Sequence, residues 1–410
     1  MKLSFASVPN ITPYFNSSAH HIASEIASLQ LAILSLGGLG GSGKVATDLA
    51  KGLATAGAKV SVLTSSEPQW GADRDPLLHY VPVNAPKTPT EPDRSWIVPL
   101  AYDIIERVET REIKVLNVHY AVGLVEAALL ARQALAARGY RLAVCLTLHG
   151  SDVTGFGRRL NYGSQLRECI AACDSVTAVS SWLANQAVEI LALKKRPTVI
   201  HNSVDLKLFR PLRTWDMTRS KKILNLCHVS NFRSVKRPLD AIQVLARVRG
   251  AGVRAQLFMI GDGPLIGQAR EYARELNVAE NVMFLGAASP NELVHWLSVT
   301  DMMLVTSESE SFCLAALEAM ACGVPVMGTY CGGLEEVMEE LGADLPDKLL
   351  SPVGDTATMA TKIVQMFNSP LTYEMICDRL IPMIKIRFCR STQLQAYGHV
   401  LSKLQQEVGE

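Results

Sequence analysis

From Leu31 onward the chain alternates short apolar runs with longer amphipathic stretches. The runs LAILSL (31–36), KVSVLTS (59–65), KVLNV (114–118), LAVCLTL (142–148), SVTAVS (175–180) and PTVIH (197–201) predict strands. Lys44–Ala56, Val122–Ala137 and Ser181–Leu193 predict helices between them. Runs that are apolar throughout, separated by helices, predict a parallel sheet covered on both faces. NSVDLKLFRPLRTW (202–215) breaks the alternation with Asn, Pro and charge, and the pattern then restarts. KILNLCHVS (222–230), AQLFMIG (255–261), NVMFLG (281–286), MMLVT (302–306) and VPVMGT (324–329) predict a second set of strands. Arg237–Arg249, Leu265–Leu276, Pro290–Ser298 and Phe312–Ala321 predict their helices. The expected fold class is α/β, two doubly wound domains facing a central cleft, residues 29–203 and 204–389. A last amphipathic helix, 390–410, is expected to pack back on the first domain. Residues 1–28, with Pro9, Pro13 and a Ser/Asn cluster but no clear period, predict an extension.

Composition narrows the class. A chain of 410 residues suits two domains of about 200 residues. Net charge is +1, so nothing in bulk electrostatics favours nucleic acid. Nine cysteines without a CxxC pair read as mostly buried thiols in a reducing compartment. No apolar run reaches the length of a membrane span. The start lacks a basic region followed by an apolar one. A cytoplasmic protein without stable membrane insertion is expected, and a homodimer is left open.

In folds of this kind ligands bind in loops that leave the carboxyl ends of strands. SESESFCLAALEAMACGVPVMG (307–328) is such a loop followed by a helix. Ser309 or Ser311 could cap the helix. Amides around Phe312, Cys313 and Leu314 would then face a phosphate, helped by the helix dipole. Glu310 could accept hydrogen bonds from sugar hydroxyls, and Glu318, about two turns on, could hold a ribose diol. A helix-terminal carboxylate and a surface glutamate would produce the same letters. GDGP (Gly261–Pro264) follows a strand, and Gly261 and Gly263 would permit close approach to a ligand, as would any plain strand-to-helix turn. SNFRSVKR (Ser230–Arg237) gathers Arg233, Lys236 and Arg237 in a cationic loop suited to a diphosphate, or simply in a solvated charge run. TLHGSD (Thr147–Asp152) brings His149 to the cleft.

GLGGSGK (Gly38–Lys44) has the spacing of a Mg²⁺-nucleotide loop, but Val45 stands where the metal-holding hydroxyl belongs. That counts against an ATP-binding protein. A metal-free anion site built from Gly41, Ser42, Gly43 and Lys44 at a helix N-terminus is the better reading.

Glu310-SFCLAAL-Glu318 resembles the E-x7-E signature of the retaining family 4 glycosyltransferases of the GT-B fold, which has two Rossmann-like domains. The order GGSG, LHGSD, TAVSS, SNFRSVKR, GDGP, SESFCLAALEAMACGVP resembles the N-acetylglucosaminyl-L-malate synthases of bacillithiol biosynthesis over roughly residues 31 to 400. The resemblance implies a UDP-sugar donor, with Glu318 on the ribose, Glu310 and His149 on the sugar, and Ser311, Phe312, Cys313, Leu314, Gly261 and Gly263 around the donor. Lys236 and Arg233 would neutralise the leaving diphosphate, Arg233 standing in for an arginine usual at Asn231. It implies no metal, no cofactor and no enzyme nucleophile. The acceptor, L-malate or another small anion, would meet the GGSGK loop, Trp96, Asn117, His119, Tyr120 and Ser151. An inositol phosphate or a thiol metabolite is an alternative acceptor. This chain departs from the pattern at Cys313, where glycine is usual, at Ser151, Asn117 and Trp96, and at Lys44, where an aliphatic residue is usual. Cys313 also leaves open an inactive sugar-nucleotide-binding module.

Overall fold

The computed structural model describes residues 24–37, 41–65, 76–86, 94–212 and 223–409. Most of the N-terminal extension, Gly38 and residues 213–222 lie outside the described residues.

Thirteen strands among the described residues form two parallel sheets. The first contains β1 (Gln30–Ser35), β2 (Lys59–Thr64), β3 (Leu78–Pro82), β4 (Val115–His119), β5 (Ala143–Leu148), β6 (Ser175–Ala178) and β7 (Thr198–Val199), in the order β3-β2-β1-β4-β5-β6-β7. The second contains β8 (Leu224–Val229), β9 (Ala255–Ile260), β10 (Val282–Gly286), β11 (Met302–Val305), β12 (Val326–Thr329) and β13 (Leu350–Ser351), in the order β10-β9-β8-β11-β12-β13. The central strands β1, β4, β5 and β9 are almost wholly buried, as apolar strands covered by helices must be.

Apolar alternation did not reveal β3, an edge strand whose LHYVP carries an exposed His79, or the two-residue β13. It also passed over the helices Ile97–Arg111, Leu160–Ala171, Gly333–Leu341, Thr356–Phe367 and Pro370–Arg387. Residues 24–27 are helical, and Ile26 and Leu29 enter the core, so ordered structure starts before Leu31.

The chain crosses between domains at Val204, whose amide donates to Phe388 O at 3.0 Å, and returns beside it at Cys389. The helix Arg390–Gly409 then lies on the first sheet. Tyr397, Leu401 and Leu404 join a core with Leu31, Ile33, Leu49 and Val60. No helix among the described residues is long and apolar enough to cross a membrane.

Candidate active site

In each sheet the strand order reverses beside its central strand, between β1 and β4 and between β8 and β11. Loops at such a switch point diverge and leave a crevice. His119 ends β4 and Tyr120 follows it, the loop Ser230–Arg237 follows β8, and Thr306–Cys313 follows β11. Two helices from opposite domains begin at this crevice, Gly41–Thr55 and Leu314–Ala321. A β-carbon on Gly41 would lie 3.9 Å from Leu314 Cδ1, so their amino ends meet. Both ends carry partial positive charge, which favours an anion between them.

The Glu310 carboxylate accepts three hydrogen bonds from two side chains. Lys236 Nζ donates to both carboxylate oxygens, at 2.7 and 2.8 Å, and Ser307 Oγ donates to Oε1 at 2.7 Å. Burial pulls the lysine's pKa down, but Glu310 more than reverses it, so Lys236 stays charged. A forked, charge-assisted pair of this kind fixes geometry as well as charge. Ser307 was not singled out from the sequence; a hydroxyl three residues before a buried carboxylate was the available signal.

Glu318, also buried, forms an ion pair with Lys44 of the first domain. Burial raises the pKa of Glu318 against the pull of Lys44. Lys44 is itself raised: burial lowers it, and Glu318, Asp48 and Asp205 outweigh that. Its ammonium also lies 5.3 Å from the Phe209 ring centroid. The lysine considered for the acceptor therefore touches the carboxylate considered for the ribose. Ser42 is half-buried beside it, and Gly43 O accepts from Thr47 Oγ1 at 2.9 Å.

His149 meets the second domain through its main chain, beside the loop that carries Glu310. Its ring Nε2 is 3.0 Å from Nδ1 of His119, and its carbonyl accepts from Ser311 Oγ at 2.5 Å. Gly150, at φ +138°, leaves room for that contact, since a β-carbon there would lie 2.8 Å from Ser311 Oγ. Burial brings the His149 pKa down to about 3. Asp152 organises the loop by accepting from the amides of His149, Gly150, Val153 and Ala121 at 2.7–3.3 Å. Beside it Tyr120 OH is 3.0 Å from Ser151 Oγ. Arg233 acts electrostatically on that phenol from the other domain. The Trp96 ring packs on the same side, where it would clash with any β-carbon on Gly123.

Several expectations need correction. Neither Ser309 nor Ser311 caps the helix. It begins later, with Cys313 as its N-cap and no side-chain cap, and Ser311 is engaged by His149. The first-turn amides therefore keep the unpaired character that an anion would satisfy. The ring of Phe312 is buried against Phe388 and His201 at the domain crossing, leaving only its main chain for a ligand. Gly261 and Gly263 make room for protein. Added β-carbons would lie 1.8 Å from Ser230 O and 1.9 Å from Asn231 O, so these glycines seat the basic loop. The exposed Asn231 follows that contact. Asn117 is fully buried, its amide 3.4 Å from both Cys145 O and Thr147 Oγ1, and cannot reach an acceptor. His119 is equally buried, stacked on Tyr397, and meets the site only through His149. The family resemblance implied both for the acceptor; their side chains are buried within the first domain instead.

Cys313 lies at φ +71° and ψ +70°. This left-handed conformation costs a non-glycine residue roughly 1–2 kcal/mol, which is the physical reason glycine suits the position. Burial, then the Glu310 carboxylate, push its thiol well above its ordinary pKa. All nine cysteines are free. Among the described residues no group of three or more His, Cys, Asp or Glu side chains is arranged to hold a metal ion.

Two family models match this chain: Glycosyltransferase Family 4 over residues 39–208, and Glycosyl transferases group 1 over residues 217–379. The N-acetyl-alpha-D-glucosaminyl L-malate synthase of Bacillus anthracis is 33 % identical over 346 residues, 83 % of this chain and 88 % of its own. The chain belongs to the family 4 glycosyltransferases. Solved structures agree with the GT-B fold of this family. A sucrose-phosphate synthase from Thermosynechococcus elongatus superposes with a TM-score of 0.76 at 19 % identity, covering 92 % of this chain and 100 % of its own. Anabaena HepE, in complex with UDP and glucose, superposes at 0.71 and 18 % identity, covering 91 % and 99 %. The chain is a glycosyltransferase, of a family in which retention of anomeric configuration is typical.

Proposed function

We propose that this glycosyltransferase moves N-acetylglucosamine from UDP-N-acetylglucosamine to the hydroxyl of a small anionic acceptor, L-malate first among them, in the cytoplasm. The observation that carries the reading is the Lys236–Glu310 pair beside an uncapped helix end. The name of the Bacillus anthracis relative supports the donor and the acceptor. Glu318 holds the ribose diol, releasing Lys44. Glu310 and His149 take sugar hydroxyls. Lys236, Arg233 and the amides of Phe312–Leu314 take the diphosphate. The acceptor hydroxyl attacks the anomeric carbon on the face UDP leaves. The C–O bond to phosphate breaks with its electron pair going to UDP, and the hydroxyl proton passes to the departing phosphate oxygen. Fixed cations and amides supply the charge stabilisation without a metal. Lys44, placed beside Glu318 rather than over Tyr120, favours a second reading in which another small acceptor replaces malate.

The test is incubation with UDP-N-acetylglucosamine and a panel of small acceptors in EDTA, with UDP release and product mass followed. A glucosaminyl-malate product is expected. Turnover of another acceptor alone selects the second reading, and no UDP release from any nucleotide sugar overturns both. Glu318→Ala is expected to weaken UDP binding about tenfold or more, since hydrogen bonds to a charged group are lost. Unchanged affinity by calorimetry would remove Glu318 from the ribose site.

A further inference from the structure

We infer that Glu336 is a positioning residue that locks the two domains in the register where Ser311, next to Glu310, meets the His149 main chain. The inference rests on the donor-site reading above. Glu336 belongs to the helix Gly333–Leu341 of the second domain, yet its carboxylate bonds to the first. Oε1 accepts from Ser181 N and Oε2 from Trp182 N, each at 2.8 Å. His201 Nε2 lies 2.8 Å from Oε1. Ser181 and Trp182 open the helix Ser181–Leu191, so the carboxylate sits at the positive end of a helix from the opposite domain. Burial acts to raise its pKa, but His201 and the two amides outweigh that and leave it below the ordinary value.

The same segment carries Glu310. Glu310 N donates to Cys331 O at 2.8 Å, and Gly333 N donates to Glu310 O at 2.7 Å. The loop that presents Glu310 is thus bonded to the head of the helix that presents Glu336. On the other side Ser180 Oγ donates to Ser311 O at 2.6 Å, and Ser311 Oγ reaches His149 O. Between these contacts the Trp182 ring presses on Gly332, where a β-carbon would lie 2.3 Å from the indole. His201 precedes the chain crossing and packs against Phe312 and Phe388, with ring centroids 6.0 and 5.6 Å away. One carboxylate therefore ties the segment that carries Glu310 to the head of the Ser181–Leu191 helix and to the crossing. It touches none of the groups assigned to substrate, so it acts through them.

Glu336→Gln keeps the shape and removes the charge; Glu336→Ala removes the contact. The measurements are kcat, UDP affinity, and solution scattering with and without UDP. For Glu336→Gln, kcat is expected to fall about tenfold, the scale of one charge-assisted hydrogen bond, with a larger loss for alanine. UDP affinity stays unchanged because the groups assigned to UDP itself lie in the second domain. The UDP-bound variants have a larger radius of gyration than the wild type. Wild-type kcat and wild-type dimensions in a folded Glu336→Gln protein would overturn the inference. If alanine prevents folding, the glutamine variant decides alone. If the wild type transfers no sugar, the donor reading fails, and the scattering comparison still decides whether Glu336 holds the domains.

Discussion

Lys236→Met is expected to lower kcat about 100- to 1,000-fold, the cost of removing one preorganised charge from a developing anion. Methionine keeps the apolar stem and deletes the ammonium. In the proposed reaction the lysine meets the leaving diphosphate, and it is held in place by both oxygens of Glu310. Stability must be separated from chemistry. Glu310 is only 8 % exposed, and deleting one partner of a buried pair costs about 3–5 kcal/mol. The single variant should therefore lose melting temperature as well as rate. The double variant Lys236→Met/Glu310→Gln removes the stranded charge and should regain most of the melting temperature, with kcat still depressed. Calorimetry and steady-state kinetics on the same preparations check both. Recovery of rate in the double variant would make the lysine a structural counter-ion and nothing more.

Acidification is expected to destabilise the protein steeply below about pH 6.5. Three histidines are responsible. Burial lowers His149 to about 3 and His228 to about 4, and burial with the neighbouring His149 lowers His119 well below its ordinary value. Unfolded, each takes a proton near pH 6.5; folded, each stays neutral until far lower pH. The unfolded state binds more protons in that window, so unfolding free energy rises with pH from about 4 to 6.5 and is level above it. Each fully differing group contributes about 1.4 kcal/mol per pH unit. Asp48, Asp152 and Glu318, raised by burial, protonate first in the folded state and offset part of the loss at the acid end. Melting temperature measured from pH 5 to 8 at constant ionic strength checks this. A flat profile would mean that these rings are not held neutral. In the proposed reaction His149 would then meet the donor sugar as a neutral ring near pH 7.

Much of the site was legible because its chemistry sits in short local patterns. Glu310 and Glu318 follow from one strand-loop-helix segment, and Lys236 and Arg233 from the loop after β8. What failed were inferences about side-chain direction. Asn117 and His119 alternate on β4 with apolar neighbours, and only the sheet's covering layer, including Tyr397 from the far end of the chain, shows that both face inward. The glycines of GDGP were legible as a close approach, but what approaches is the main chain of Ser230 and Asn231, a neighbouring loop that the local sequence does not contain.

Alternation of apolar and polar positions reports burial of an element, and a loop's letters report its local conformations. By itself, therefore, the sequence determined the two parallel-sheet domains and which loops carry charge. Only the tertiary structure decided which charge meets which. Lys44 and Glu318 are 274 residues apart in the chain, and Ser311 and His149 are 162 apart. Glu336 had no local signal at all, because its partners Ser181, Trp182 and His201 belong to the other domain. Pairings of this kind depend on the mutual orientation of two folded bodies, a property that no periodicity along either one encodes.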